Sequence, residues 1–179
     1  MVTVMTVDHE KYDTSIIRPE MRDADCKLRR EPMPAQRRQR IVKALRVFHN
    51  LETMAMTIYR YQITKEDSEL NRQLIAAMCN EMTHHQDFQI KLYEYGTRPS
   101  LMRIPYWFVG FCFGFFSRLL GKTWTLRTGV WVETKAVHHY AQLLEEVEWD
   151  DDTRRMIEKD QTDEDGHINR WTGLLENPL

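Results

Sequence analysis

"NEMTHHQDF" (residues 80–88) places a carboxylate and two imidazoles inside an otherwise apolar helical pattern. Inward residues recur around it at the alternating spacing of three and four that is typical of one helical face. Glu81 falls on that face, and a carboxylate buried without a partner costs on the order of several kcal/mol. Glu81 is therefore predicted to be protonated, hydrogen-bonded or bound to a cation. The face consists of Leu74, Met78, Glu81, His85, Phe88, Leu92 and Tyr95.

Three further helices carry a face of the same kind. A first helix over about 36–64 precedes the second at about 67–95, which ends at Gly96. Two more long helices follow segment 104–117, and the last begins near the acidic stretch WDDDT, which suits a helix N-terminus. The inward positions are Ile41, Leu45, Phe48, Glu52, Ala55, Tyr59 and Gln62 in the first helix, Leu126, Val130, Glu133, Val137, Tyr140, Leu144 and Val147 in the third, and Ile157, Asp160, Glu164, His167, Trp171 and Leu174 in the fourth.

The pattern of polar residues on these faces repeats. Each of the four helices has a glutamate in the middle of its face, and the second and fourth have a histidine one turn later. Glu52 precedes Glu133 by 81 residues, while His84 precedes His167 by 83. One Glu-x-x-His motif is expected by chance in such a chain, but two in matching halves are a strong signal. The repeated set is Glu52, Glu81, His84, Glu133, Glu164 and His167.

Four glutamates and two histidines from four antiparallel helices form the ligand set of a carboxylate-bridged dinuclear metal site. Carboxylates offset most of the charge of two divalent cations, and the mixture with imidazole suits iron or manganese, with iron favoured for dioxygen chemistry. A metal-free polar core is disfavoured, since six unpaired buried groups would cost more than a small domain's stability. Outside this set, His85 and His138 are predicted to be packing or surface residues, whereas His139 is predicted to point toward the site mouth.

Composition limits the class of protein. We expect an extended N-terminal arm over residues 1–35 and one bundle domain over residues 36–179. A net charge of −2 argues against a nucleic-acid partner. Three widely spaced cysteines provide neither a disulfide framework nor a Cys-x-x-Cys site, and no signal peptide is visible. These features predict a reducing setting, on a cytoplasmic or matrix-type side.

Two segments lie outside the four faces. The arm leads into the basic run KLRREPMPAQRRQR (residues 27–40), which is either a solvated segment or adsorbs to anionic lipid. Segment 104–117, IPYWFVGFCFGFFS, is uncharged but too short to span about 30 Å of hydrocarbon. It either dips into one leaflet, with Tyr106 and Trp107 at headgroup level, or packs as a core hairpin or as a helix pair brought close by its two glycines. Membrane contact is favoured, because the four bundle helices leave little core for this segment to fill.

Longer stretches of the sequence resemble the demethoxyubiquinone hydroxylase family, a ferritin-like di-iron group that hydroxylates a polyprenylated quinone ring in ubiquinone synthesis. The resemblance runs from about Val47 to His167 and rests on IYRYQ, both Glu-x-x-His motifs, YGTRPS, PYW, GFCFG, LLGK and VETKAVHHY. It implies an all-α, ferritin-like antiparallel four-helix bundle with an added apolar membrane-facing helical segment between the second and third bundle helices. It also implies that the repeated set of glutamates and histidines binds two iron ions (Fe2+/Fe3+).

The resemblance further implies that His139 and Tyr140 lie by the substrate ring. Tyr59, which follows its glutamate by seven residues as Tyr140 does, is taken with them as a candidate catalytic residue. Segment 104–117 is expected to provide the substrate's route from the membrane, and the residues named for this role are Tyr106, Trp107, Phe111 and Phe115.

The expected function is a di-iron monooxygenase that hydroxylates a polyprenyl quinol with dioxygen at a membrane surface. The alternative is a non-catalytic or differently acting di-iron subunit of a larger membrane assembly, and peroxidase chemistry of the rubrerythrin type is disfavoured without a four-cysteine iron site. The sequence departs from the family in ending twelve residues after His167, so a protein partner covering the short C-terminal end is also expected. Gly166 is a second departure, which weakens a helix interior by about 0.5–1 kcal/mol.

Overall fold

The computed structural model describes residues 26–29 and 32–176, and this part of the chain is all-helical, without a strand. The predicted all-α class is confirmed. The first two helices begin and end within two residues of their predicted bounds, while most of the predicted arm over residues 1–35 lies outside the described residues. The helices are α1 (Ala35–Gln62), α2 (Glu69–Glu94), α3 (Arg103–Leu119), α4 (Lys122–Glu146) and α5 (Asp151–Glu176).

Short connections join α1 to α2 and α4 to α5, and each of these two pairs packs together. Before α2, the Ser68 hydroxyl accepts a hydrogen bond from the Asn71 backbone N–H at 3.2 Å, which satisfies a donor of the first turn. The Asn71 side chain also binds the Thr64 backbone in both directions, at 2.8 and 3.0 Å. Asp151 and Asp152 lie in the first turn of α5, where negative charge is favourable. Local sequence thus fixes both connections.

Two apolar clusters form the core, and they lie on opposite sides of the glutamates. The first cluster includes Phe48, Phe88, Tyr140 and Ile157. The second cluster is smaller and consists of the buried side chains Tyr59, Leu74, Ala77, Leu126 and Trp171. In each of α1, α2, α4 and α5, the glutamate of the repeated set falls between the residues that join one cluster and those that join the other. The glutamates therefore lie near the middle of their helices, between the two apolar clusters.

Helix α3 packs along α1 through its two glycines. A Cβ added at Gly110 would lie 2.6 Å from the Met54 carbonyl oxygen, and one at Gly114 would lie 2.5 Å from that of Ile58. The remaining surface of α3 is largely exposed and apolar, so the two alternatives drawn from the sequence are not exclusive: one face makes a close helix pair with α1, and most of the other apolar side chains face outward. The exposed residues are Ile104, Trp107, Phe108, Val109, Phe113, Phe116 and Leu119. Among the described helices, none has the length and apolar character needed to cross a membrane.

Most described residues of the basic run are exposed, as expected for a solvated segment, but Arg29 differs from both alternatives drawn for the run. Arg29 is only 16% exposed, forms ion pairs with Glu94, Asp150 and Asp152, and lies 4.9 Å over the ring of Tyr95. The interpretation of this residue as solvated or lipid-adsorbed is therefore wrong. Acidic groups at the end of α2 and the start of α5 hold Arg29 against these two helices. The remaining part of the run at residues 30 and 31 lies outside the described residues.

Candidate metal centre

Four helices bring six side chains that could hold metal ions into one buried cluster. Helix α1 contributes one glutamate, α2 a glutamate and a histidine, α4 one glutamate, and α5 a glutamate and a histidine. The side chain most exposed in this cluster is His167, at only 3%. Every residue predicted as a metal ligand is in it, namely Glu52, Glu81, His84, Glu133, Glu164 and His167.

The cluster divides into two overlapping sets of four ligands, which share Glu81 and Glu164. Each set adds one glutamate and one histidine of its own. Carboxylates common to both sets are suited to bridge two cations, and the unshared ones to bind a single cation. Within each set the ligand atoms all lie within 4.8 Å of one another, and the sets are Glu52, Glu81, His84 and Glu164, and Glu81, Glu133, Glu164 and His167.

Unpaired atoms in the cluster test whether it fits metal ions. Both carboxylate oxygens of Glu81, Oε2 of Glu133 and Oε2 of Glu164 are buried without a hydrogen-bond partner among the described residues. Nδ1 of His167 lies 3.0 Å from a Glu81 oxygen but outside the direction of a hydrogen bond. Buried polar atoms in native proteins nearly always have partners. These atoms come from the predicted ligands, so the donor set fits a pair of divalent cations.

Burial makes ionisation of the carboxyl groups unfavourable. Burial and the charges of Glu164 and Glu133 raise the pKa of Glu81 well above its ordinary value, and burial with the charge of Glu164 raises the pKa of Glu133 to about 8. Burial and the charge of Glu164 also raise the pKa of Glu52 to about 7. For Glu164 itself, the effect of burial is outweighed by the neighbouring His167 and His84 imidazoles, which lower its pKa to about 2. Among these four carboxyl groups, Glu164 is the one whose ionised form is favoured.

The two histidines have the opposite tendency. Burial disfavours the imidazolium form of His84, but the hydrogen bond to Glu164 and the charge of Glu52 raise its pKa to about 10. Burial of His167 is likewise outweighed by the nearby carboxylates of Glu133 and Glu164, which raise its pKa to about 9. Protons therefore occupy the site in the absence of a cation, and a metal ion must displace them.

Two buried tyrosines donate hydrogen bonds to the two glutamates that belong to only one set each. Each tyrosine bonds the glutamate of the other half of the sequence repeat. The Tyr140 hydroxyl of α4 donates to Oε1 of Glu52 in α1 at 2.6 Å. Reciprocally, the Tyr59 hydroxyl of α1 donates to Oε1 of Glu133 in α4. The Tyr59 oxygen also accepts a hydrogen bond from Nε1 of Trp171 at 2.9 Å. Both tyrosines, predicted as catalytic candidates, thus contact ligand carboxylates, and a role beside the substrate stays a prediction.

The two histidines of the cluster also contact glutamates of the opposite half of the repeat. Nδ1 of His84 in α2 lies 3.0 Å from Oε1 of Glu164 in α5, and Nδ1 of His167 in α5 lies 3.0 Å from Oε1 of Glu81 in α2. Each half of the repeat therefore supplies the partners for the buried groups of the other half.

His139 does not join the cluster. It is half-buried on α4, and its ring lies 6.1 Å from that of His138. The expected position by the substrate ring stays a prediction. His85 packs against His49 in α1, with ring centroids 4.1 Å apart.

Two aspartates at the edge of the cluster were not assigned a role from the sequence. Asp160 is fully buried, and Asp163 accepts a hydrogen bond from the outer ring nitrogen of His84 at 3.2 Å. Asp160 was visible on the inward face of its helix, where an apolar residue is expected. Asp163 precedes Glu164, and nothing in the spacing singled it out.

The residues named for the membrane route occupy different depths in α3. Phe111 is half-buried, with its ring 4.8 Å from Tyr61 of α1 and 5.9 Å from Trp107. Phe115 stacks on Phe111 at 5.8 Å and is also half-buried. Phe108, not named from the sequence, is 58% exposed. The free apolar surface of α3 is thus displaced around the helix from the predicted pair.

Comparison with known proteins gives consistent matches. A family model described as ubiquinone biosynthesis protein COQ7 matches residues 39–172. A Cupriavidus necator protein named 3-demethoxyubiquinol 3-hydroxylase is 30% identical over 142 residues, which cover 78% of this chain and 68% of that protein. A Polaromonas protein of the same name is 34% identical over 126 residues, covering 69% of this chain and 60% of the relative.

A third relative comes from Dictyostelium discoideum and is named NADPH-dependent 3-demethoxyubiquinone 3-hydroxylase, mitochondrial. It is 32% identical over 139 residues, covering 74% of this chain and 64% of that protein. The chain therefore spans about two thirds of the length of the curated relatives that it matches.

Proposed function

The chain belongs to the ubiquinone biosynthesis protein COQ7 family, and from this premise we propose that it is a di-iron monooxygenase that hydroxylates the ring of a polyprenylated quinol with dioxygen. The observation that carries the proposal is the convergence of six buried ligand side chains on two overlapping four-ligand sets. The names of the relatives describe 3-hydroxylation of 3-demethoxyubiquinol or 3-demethoxyubiquinone, and we propose a substrate of that class.

We propose a ferritin-like antiparallel four-helix bundle of α1, α2, α4 and α5 as the frame of this site. Helix α1 passes from the first apolar cluster to the second, and α2 passes back. Helix α4 passes from the second cluster to the first, and α5 passes back again. This alternation supports antiparallel hairpins, while α3 supplies the long connection between them.

The protein's own groups would hold and orient the ions. Glu81 and Glu164 would bridge the two positions, and each position would be completed by one further glutamate and one histidine. The Tyr140 hydroxyl keeps a proton directed at Oε1 of Glu52, and the Tyr59 hydroxyl does so at Oε1 of Glu133, which fixes the rotamers of both carboxylates. The two apolar clusters exclude water from both sides of the site.

Bound iron would supply the redox chemistry that lets dioxygen react with the ring, which no amino-acid side chain provides. One oxygen atom enters the ring and the other leaves as water, with two electrons and two protons from an external donor. The buried position of the carboxylates keeps their charge unscreened by solvent, which strengthens their hold on a cation.

We propose that the exposed apolar face of α3 rests in one leaflet of a membrane, on its reducing side. A polyprenyl tail partitions into lipid because of its apolar area, so the substrate must be taken from there. Arg103 and Arg118 lie at the two ends of α3 and Lys122 begins α4, and basic residues in such positions meet lipid headgroups. Large contiguous apolar patches on soluble proteins mark such interaction surfaces.

The proposal is tested by metal content and oxygen-dependent turnover. Protein reconstituted with ferrous iron without oxygen should hold about two irons per chain, and Glu81→Ala should lose most of both, since this residue belongs to both ligand sets. Glu145→Ala, an exposed position on α4, is the matched control and should keep both. Turnover is measured by mass spectrometry of a demethoxyquinol with labelled dioxygen, and the product should gain one labelled oxygen atom. A folded protein without metal affinity would refute the proposal.

A further inference from the structure

We propose that Asp160 and Asp163 are positioning residues for His84 and make the two metal positions unequal. The position completed by Glu52 and His84 then binds its metal more tightly and fills first. This inference rests on the proposed dinuclear centre and concerns the order in which its positions load.

The two ring nitrogens of His84 face different groups. Nδ1 faces the cluster, 3.0 Å from Oε1 of Glu164, so this nitrogen is the one available to a metal ion. Nε2 faces outward and lies 3.2 Å from Oδ2 of Asp163 and 3.9 Å from Oδ1 of Asp160. A carboxylate that accepts the outer N–H of a ligand histidine fixes the tautomer and ring orientation and makes the inner nitrogen more basic.

Asp160 is a costly residue at its position. It is fully buried, and its Oδ2 has no hydrogen-bond partner among the described residues. A leucine there would avoid the cost of burying a carboxylate. The Nζ atom of Lys159 lies 3.3 Å from Asp160 and 3.6 Å from Asp163, so one surface cation holds both carboxylates beside the imidazole. The aspartates and the lysine thus form one charged support behind His84.

The matching histidine has a different environment. Within the described chain, the carboxylates paired with His167 are those of Glu81, Glu133 and Glu164, all members of the ligand cluster itself. Outside the ligand set, the ring of His167 has aromatic neighbours at 6.4 and 6.5 Å between centroids, from Tyr59 and Trp171 respectively.

The sequence repeat shows that this difference is built into the chain. At the offset of 83 residues that relates the two histidines, Asp160 corresponds to Ala77 and Asp163 to Asn80. Ala77 is fully buried in the second apolar cluster. The second half therefore has a charged support for the first half's histidine, and no counterpart exists at the equivalent positions of the first half.

The expected size of the effect follows from partners of this kind, whose loss lowers metal affinity about 10–100-fold. Titration of metal-free protein with cobalt(II) without oxygen, followed by visible absorption and competition with a chelator, should give two separate binding steps. His84→Ala should remove the tighter step and His167→Ala the weaker one, which assigns each step to its position.

Asp163→Asn and Asp160→Asn should weaken the tighter step about 10–100-fold and leave the weaker step unchanged. Asp165→Asn removes the same charge from an exposed position of the same helix and should change neither step. A general loss of structure would weaken both steps together, so the selective effect separates positioning from folding. Asp163 has a partly exposed side chain, so its variant serves if the buried Asp160→Asn fails to fold.

Two outcomes would overturn the inference while leaving the dinuclear centre intact: equal affinities at the two positions of the unmodified protein, or equal weakening of both steps in Asp163→Asn. Absence of any cobalt or iron binding by the unmodified protein would instead overturn the proposed metal centre itself.

Discussion

At the scale of single residues, the metal-free cluster is stabilised by the protonated forms of several of its side chains. His84 and His167 have pKa values of about 10 and 9, raised from the ordinary value of 6.5 mainly by their carboxylate partners against the effect of burial. Glu133 has a pKa of about 8 because burial and the charge of Glu164 favour its neutral form. A bound metal ion would take the place of these protons, so both metal binding and stability should depend on pH.

The metal-free protein should lose stability as the pH rises from 7 to 10. A histidine whose folded pKa exceeds its unfolded value stabilises the protein fully below the unfolded pKa, and this contribution is lost as the pH passes the folded pKa. Deprotonation of His84, His167 and Glu133 acts in the same direction in this range. Thermal unfolding with a chelator present measures the fall. Metal-loaded protein is the control and should show a flatter profile, because its ligands are already deprotonated.

Tyr59 makes one hydrogen bond more than Tyr140. Removal of the two hydroxyls should therefore lower the free energy of unfolding by different amounts. Tyr140→Phe leaves Oε1 of Glu52 without its donor, whereas Tyr59→Phe leaves both Glu133 and Nε1 of Trp171 without their partners. The free energy of unfolding should fall further in Tyr59→Phe, by about 1–3 kcal/mol relative to Tyr140→Phe, since an extra buried donor is unsatisfied. Denaturant titration of the metal-free proteins compares them, and equal losses would contradict this account.

His139 is outside both ligand sets, which predicts a variant with intact metal binding. His139→Ala should keep close to the normal iron content and lower turnover, if the histidine lies by the substrate ring as the family resemblance implies. His138→Ala, at the exposed neighbouring position, is the matched control and should retain activity. Loss of iron in His139→Ala would instead make this residue a ligand.

At the scale of helices, α3 is fixed to α1 by contacts that leave no room for a side chain. Gly110→Ala or Gly114→Ala would place a Cβ against the backbone of Met54 or Ile58, so the helices must separate. We expect each variant to be destabilised by about 1–3 kcal/mol, as for other overpacked sites. Gly166→Ala is the control, because nothing lies within 4 Å of its Cβ and the change should stabilise α5 by about 0.5–1 kcal/mol. Thermal unfolding of the three variants gives the comparison.

The helices and their inward faces could be predicted from sequence, but the contacts between helices could not. Helices α1, α2, α4 and α5 each bury one face at helical spacing, so their existence and the glutamates on those faces were visible locally. The support of His84 by Asp160 joins helices from different halves, and its distance depends on how these helices lie side by side. Arg29 likewise pairs with Asp152, which is 123 residues away in the chain. Local periodicity contains no information on such contacts.

At the scale of the whole molecule, the exposed apolar face of α3 continues onto α4. Phe113 stacks on Trp131 of α4 with centroids 5.1 Å apart, and Trp124 near the start of α4 is also exposed. The surface therefore extends beyond segment 104–117, which was the part visible as an uncharged run. Aromatic residues of this kind are enriched where proteins meet lipid headgroups.

Substitution of exposed residues on this surface separates membrane binding from folding. Phe108→Glu with Phe116→Glu should abolish liposome sedimentation and turnover of long-tailed quinols, while iron content and turnover of a short-tailed, water-soluble analogue are retained. Phe111 is a poorer choice, because its ring packs on α1. Ile75→Glu with Met82→Glu adds the same charge on the exposed side of α2 and should leave liposome binding unchanged. Retained binding in the first variant would contradict the membrane assignment.

The reciprocal contacts of the cluster have a consequence for ancestry. Tyr59 and Tyr140 each serve the glutamate of the other half, and the histidines of α2 and α5 do the same. A single hairpin of this kind leaves its own buried groups without partners. If both halves descend from one duplicated gene, the ancestral protein was a twofold homodimer whose two chains completed each other's ligands. The aspartates behind His84 would then have arisen after the duplication, since one gene that encodes both chains of a homodimer cannot change one half and keep the other.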